Sequence, residues 1–198
     1  MRLAILIPTI TEREQLLNRV VAELDKQRKG HDVIIIINQD NREKTTGQKR
    51  NECISKAIEL QADYIAHFDE DDLPGSNYVK RVMEGVNMGY DCCSLYGQLY
   101  IHGKPDNPFH HSIKYDHWYQ DTKMYYRNPN HLNALKLSLV KDICYRDITV
   151  GEDGHYSIAL QESGVLKTEY QINETIYHYF TGKKNHSIEP NIMINRTF

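Results

Sequence analysis

The sequence is short of several things, and each shortage removes a class of protein. Cysteine occurs four times in 198 residues, at Cys53, Cys92, Cys93 and Cys144, and never as C-x-x-C. Cys92 and Cys93 are neighbours in a strand-like run, so their side chains are expected on opposite faces, where they cannot share a zinc ion. They read as small buried residues of a chain kept in a reducing compartment. The apolar run at residues 33–37 is far below the ~20 residues that span a bilayer. The opening MRLAILIPTITER turns charged after a few apolar residues and has no signal-peptide cleavage pattern, so a cytoplasmic protein is expected. Positive charge is scarce as well: 24 Lys and Arg face 27 Asp and Glu, a net of -3. That excludes a protein that simply coats nucleic acid, though not one with a local basic groove. Internal repeats and low-complexity segments are absent.

What is present fits one compact domain. Hydrophobic residues make up 40% and charged residues 26% of the chain, as in ordinary globular proteins. Residues 3–7 form a short apolar run that stops at Pro8 and reads as a buried strand. Residues 11–27 follow with Leu16, Leu17, Val20, Val21 and Leu24 at helical spacing, and Thr11 with Glu14 resembles a capping box. Residues 33–37, a valine and four isoleucines, suit a central parallel strand that is covered on both faces. A second helix is predicted over 46–60, a third strand over 64–68 and a third helix over 76–88. This β-α-β-α-β-α alternation predicts a doubly wound α/β sheet. Beyond Gly89 a strand is expected over 91–101 and a loop over 103–130. A short strand at 131–134 and short helix at 137–143 follow, then a helix over 152–163. Final strands are expected over 165–170 and 174–180, with a polar tail from 181 to 198.

The third strand delivers Asp69-Glu70-Asp71-Asp72 to the carboxyl edge of the sheet, where open α/β sheets bind ligands. Consecutive carboxylates repel unless a cation lies among them, and a hard divalent ion with oxygen ligands is the simplest solution. Such a metal can hold a nucleotide's pyrophosphate and stabilise a departing diphosphate. The plainer alternative is a solvated acidic loop that caps the following helix.

Three motifs carry a family resemblance: Ile7-Pro8-Thr9 after the first strand, Gly47 with Arg50-Asn51, and Phe68-Asp69-Glu70-Asp71-Asp72 with Pro74. In this order and spacing they resemble family 2 glycosyltransferases of the GT-A fold with its D-x-D motif, closely over residues 1–90 and more loosely to 180. The resemblance implies a three-layer α/β/α sandwich, Rossmann-like, around a central, mostly parallel mixed sheet. It implies one domain over 1–180, with a nucleotide-sugar half (1–90) and an acceptor and catalytic half (91–180). The implied activity is metal-dependent, inverting transfer of a sugar from a nucleotide-sugar, a UDP-sugar above all, using Mn²⁺ or Mg²⁺.

By the same resemblance Pro8, Thr9 and Arg13 flank the nucleotide, and Asp40 reads its base. Arg50 pairs with the diphosphate or holds the base, while Lys49 reads as a surface cation. Asp69 contacts ribose or metal, with Glu70 beside it; Asp71 binds metal and Asp72 supports the loop. Asp153, or alternatively Glu152, takes the proton from the acceptor hydroxyl. Favourable charge at a helix N-terminus is the competing explanation for that pair. His178 is a further metal ligand by resemblance, better matched to Mn²⁺. His131 is a second pocket candidate.

Phe109, Tyr115, Trp118, Tyr119, Tyr125 and Tyr126 alternate with His110, His111, Lys114, His117, Lys123 and Arg127. Aromatic faces stack on sugars or bases and cations meet phosphates, so this segment, Trp118 and Tyr119 above all, is the candidate acceptor loop. Packing of an ordinary aromatic loop on the sheet explains it equally well. The acceptor classes left open are a glycan, a lipid-linked sugar, a protein and a hydroxymethylated base in DNA. A nucleotidyltransferase is disfavoured because residues 7–13 contain no glycine for a phosphate loop. A non-catalytic nucleotide-sugar-binding module has no use for both acidic groups, and two-metal nucleases draw their acids from several strands.

Overall fold

The N-terminal apolar run becomes a strand with a parallel partner on each side. The computed structural model describes residues 1–182. In chain order its elements are β1 (Leu3–Ile10), a 3-10 turn (Thr11–Arg13), α1 (Glu14–Gln27), β2 (Val33–Asp40), α2 (Thr46–Glu59) and β3 (Tyr64–His67). Next come β4 (Leu73–Pro74), α3 (Tyr78–Met88), β5 (Cys92–Cys93), β6 (Leu95–Ile101) and β7 (Lys104–His111). The chain continues through β8 (Tyr119–Gln120), β9 (Tyr125–Arg127), β10 (Leu135–Lys136) and α4 (Leu137–Val140). It closes with α5 (Glu152–Ser163), β11 (Glu169–Tyr170) and β12 (Tyr177–Thr181).

The strands form two mixed sheets, ordered β11-β5-β10-β3-β1-β2 and β4-β12-β6-β7-β9-β8. In the first, β1 is parallel to β2 and β3, and β5 to β11, while β10 is antiparallel to both its neighbours. Leu3, Ile5 and Ile7 pack with α1 and α3 on one face, and Ala4 and Leu6 with α2, α4 and α5 on the other. Alternate side chains of one strand therefore feed two cores, and the first sheet is the middle of a three-layer α/β/α sandwich. Cys93 joins the first core and Cys92 the second, on opposite faces as expected; Cys144 is exposed. Among the described residues no helix is long and apolar enough to cross a membrane.

Several local expectations are corrected. Pro8 does not end β1 but pairs in register with Asn38. β3 contacts β1 only as far as Leu6, whose carbonyl accepts from Phe68 N. Pro8 shares the parity of Leu6, so its missing N–H faces the side where β3 has already ended. β2 is an edge strand, not a central one, and Ile37 is 44% exposed. No side chain caps the turn at Thr11, whose hydroxyl donates to Asp40 O at 3.2 Å. The capping box lies instead at the start of α2, between Thr45 and Gln48.

The larger correction concerns residues 103–130, which build much of the second sheet rather than a loop. Pro105 and Pro108 hide β7, yet both precede Phe109, where β9 joins, so there β7 has only β6 beside it. The strand expected over 91–101 is split at Ser94, with β5 in the first sheet and β6 in the second. No strand occupies 131–134; β10 follows it instead. The strand expected over 165–170 shrinks to β11. Thr181 belongs to β12, and residues 183–198 of the expected tail lie outside the described residues.

Candidate functional site

Because β1, β2 and β3 are parallel, their carboxyl ends open on one edge, and the loops that follow them meet there. The four acids after β3 are treated very differently by their surroundings. Asp69 Oδ1 accepts from Arg50 Nη2 at 2.9 Å, and its Oδ2 lies 3.2 Å from His131 Nε2. Burial penalises the Asp69 charge, but Arg50 and His131 outweigh it and hold the carboxyl well below the usual carboxylate range. Glu70 is buried and accepts from Arg13 Nη1 at 2.8 Å; the same nitrogen lies 3.5 Å from Asp71 Oδ2. Burial, together with Asp69 and Glu70, pushes the Asp71 carboxyl up to about 7. Asp72 is fully buried and ties the loop to β12, accepting from Tyr177 Oη at 2.7 Å and Phe180 N at 2.8 Å.

Arg50 is itself buried, and its Nε lies 3.3 Å from Glu152 Oε1. Burial works against its charge, yet the Asp69 and Glu152 carboxylates keep the guanidinium firmly protonated. The rest of the Gly47, Arg50 and Asn51 motif serves the same docking. A Cβ on Gly47 would meet Arg146 O at 1.8 Å, so only glycine lets that segment approach α2. Asn51 Nδ2 donates to Tyr145 O at 2.9 Å, and Tyr145 N donates to Asn51 Oδ1 at 2.8 Å. The motif therefore locks the segment leading into α5, and with it Glu152, against α2.

Lys49 is corrected from a surface cation to a buried one. Its Nζ donates to Thr9 O at 2.7 Å and to Asp40 Oδ1 at 2.8 Å. Asp40 also accepts from the backbone N of Arg42 and of Lys44. Against the cost of burial, these donors hold its carboxyl below its ordinary range. Asp40 thus orders the loop after β2 and ties it to β1.

Two cavities meet at the acidic edge. A polar cleft of about 480 Å³ is bordered by Pro8, Thr9, Arg13, Arg50, Asp69 and Asp71, with Glu70 also on its wall. A smaller pocket of about 190 Å³ is bordered by Trp118, Arg127, His131 and Asp153. Asp69 and Tyr179 line both. Asp153 is half-buried and makes no hydrogen bond or ion pair among the described residues, unlike Glu152, which is taken up by Arg50.

Four candidates line neither cavity: Asp40 and Glu152, taken up by Lys49 and Arg50, and Tyr119 and His178. Tyr119 lies on the edge strand β8, stacked on Tyr126 with centroids 4.7 Å apart, and lines neither cavity. His178 also lines neither. Tyr177 and Tyr179 turn toward the acidic edge, and the two-residue alternation of β12 sends His178 to the other face, against Tyr100. The site does use Tyr145, Tyr177 and Tyr179, which sequence reasoning passed over; the period-two pattern around His178 was the available signal for the last two. Among the described residues no three His, Cys, Asp or Glu side chains converge as a ready-made metal cage.

The sequence matches no family model and no curated protein. Solved structures do share the architecture. TarS 1–349 of S. aureus, in complex with UDP-GlcNAc, superposes with a TM-score of 0.63 at 11% identity, covering 94% of this chain and 60% of that one. A mutant Drosophila β-1,4-galactosyltransferase 7, in complex with manganese, UDP-Gal and xylobiose, gives 0.54 at 14% identity, covering 89% and 70%. This is the GT-A fold. At such identities the likeness concerns the fold, and the chain spans 60% of the length of TarS 1–349.

Proposed function

We propose that this chain is a glycosyltransferase that moves a sugar, with inversion, from a UDP-sugar to an acceptor hydroxyl. The observation that carries the reading is the junction of the polar cleft and the aromatic pocket at Asp69 and Tyr179, with Asp153 on the pocket side. The neighbouring folds in complex with UDP-GlcNAc and UDP-Gal support the donor class. The nucleotide takes the cleft beside Pro8 and Thr9, its diphosphate near Arg13 and the acids, and its sugar points toward the pocket. Residues 1–90 supply most of the donor side and residues 91–180 most of the acceptor side.

Asp153 then takes the proton of the acceptor hydroxyl as its oxygen attacks the anomeric carbon. The bond from that carbon to the diphosphate breaks on the opposite face, and UDP leaves. Glu152 acts indirectly, by holding Arg50, which in turn fixes Asp69.

The acidic edge fits a hard divalent ion. Its donors are oxygens, and burial with the neighbouring Asp69 and Glu70 raises the Asp71 carboxyl to about 7, so a cation bound there would displace its proton. Asp71, with Asp69, would hold the metal, which when bound supplies charge stabilisation for the departing diphosphate. His178, turned away against Tyr100, is not among the residues that would hold the metal.

The test is mass spectrometry of products formed from mixed sugar nucleotides and candidate acceptors, hydroxymethylated DNA included, beside calorimetry of UDP with and without Mn²⁺. Binding of UDP and a mass gain of one sugar on an acceptor support the reading. Absence of UDP binding in both metal conditions overturns it.

A further inference from the structure

The smaller pocket contains a cation that no carboxylate contacts within ion-pair distance, among the described residues. Arg2, Arg13, Arg28, Arg42, Arg50 and Arg81 each hold a carboxylate, whereas Arg19, Arg127 and Arg146 do not, and of these three only Arg127 lines a pocket described above. The guanidinium of Arg127 makes no hydrogen bond or ion pair among the described residues, although it is half-buried. Its recorded side-chain partner is Trp118, with Cζ 4.0 Å from the ring centroid. Both line the pocket with Asp153 and His131. Asp153 does not neutralise it, since no ion pair within 4.0 Å joins the two, and Asp69 across the pocket is already matched by Arg50 and His131.

A half-buried cation without an ion pair is costly, and burial lowers the proton affinity of Arg127 by more than the Asp153 carboxylate nearby restores it. A guanidinium over an indole is held in place by cation–π attraction while its N–H edges remain free to donate. Its planar fork matches the paired oxygens of phosphate or carboxylate. The carboxylate of Asp153 would repel an anionic acceptor unless a cation lay nearby, and Arg127 supplies that cation in the same pocket.

We propose that Arg127, braced on Trp118, recognises an oxyanion, a phosphate or a carboxylate, carried by the acceptor next to the hydroxyl that receives the sugar. This rests on the transferase reading for the word acceptor, while the anion site itself is tested without turnover. Trp118 is the chain's single tryptophan, so its emission reports on this pocket.

The whole chain, saturated with UDP and Mn²⁺, is titrated at matched ionic strength with glycerol 1-phosphate against glycerol, and with glucuronate against glucose. The expected result is a saturable change in emission for an anion, with affinity about 10- to 100-fold above its neutral counterpart. A response to phosphate alone or carboxylate alone identifies the group. Arg127→Gln should weaken anion binding by about the same factor, Arg127→Lys should recover part of it, and UDP affinity by calorimetry should stay unchanged. Equal affinity for charged and neutral compounds in the unaltered chain overturns the proposal, as does an Arg127→Gln protein that binds the anion normally. Failure of UDP to bind would sink the transferase reading instead, with the anion titration, repeated without UDP, still deciding the site.

Discussion

The buried Arg50 and the half-buried Asp69 form an ion pair, Nη2 to Oδ1 at 2.9 Å, that joins the helix after β2 to the loop after β3. Because the same guanidinium also reaches Glu152 at 3.3 Å, one side chain sets the relative position of the two acidic groups of the site.

Arg50→Gln should therefore be among the most damaging single changes. It leaves the buried Glu152 without its cation and the half-buried Asp69 with His131 alone, at a cost of ~2–4 kcal/mol. Arg50→Lys keeps the charge but not the two-sided reach, and should fall between. Chemical denaturation of the three proteins at pH 7.5 checks the order.

Gly47→Ala tests the docking of α2 on the segment before α5. The added methyl would lie 1.8 Å from Arg146 O, and backbone cannot swing aside as a side chain can. A loss of ~1–3 kcal/mol is expected, with a larger fall in transfer rate than in UDP affinity. An Ala variant as stable as the parent would mean that the approach is looser than it stands here.

Asp71→Asn should stabilise the metal-free protein while removing the response to metal. In the folded chain this carboxyl is raised from its ordinary 3.8 to about 7. Between those values the folded state binds a proton that the unfolded state does not, so stability from this group is lost as pH rises toward 7. The variant should thus be more stable by ~1–3 kcal/mol at pH 8, the gain vanishing toward pH 4. His111, pushed down to about 3 by burial first, and by the Arg127 and His131 charges, contributes the opposite slope. It favours the folded state at high pH and loses that as pH falls below its unfolded range, so the reading is the difference between variant and parent. Thermal melts across that range, with and without Mn²⁺, measure both effects.

Asp153→Asn and Glu152→Gln separate chemistry from positioning. Asp153→Asn should keep its melting temperature and UDP affinity but lose ~10²–10⁴-fold in transfer. Glu152→Gln strips a charge from Arg50 and should lower the melting temperature. Equal turnover in Asp153→Asn and the parent would remove Asp153 from its role.

The first ninety residues were legible because their signals are local. Apolar runs, helical spacing and the acids at a strand end all lie within single elements, and parallel strands bury both faces. The start of α5 at Glu152 was readable from the glycine before two acids. The second sheet was not, because Pro105 and Pro108 weaken the strand pattern and its partners come from distant stretches of chain.

The sequence by itself determined the α/β alternation and the acids that gather at the sheet edge, and it marked Gly47 and Arg50 without showing that they dock α2. Tertiary structure decided which charges cancel. Arg50 finds Asp69 and Glu152, Lys49 finds Asp40, and Asp153 and Arg127 are left facing one pocket unpaired with each other. Such pairings depend on approaches of a few ångströms between residues as many as 102 positions apart. Coulomb energy at that range is set by geometry and burial, which no local pattern encodes.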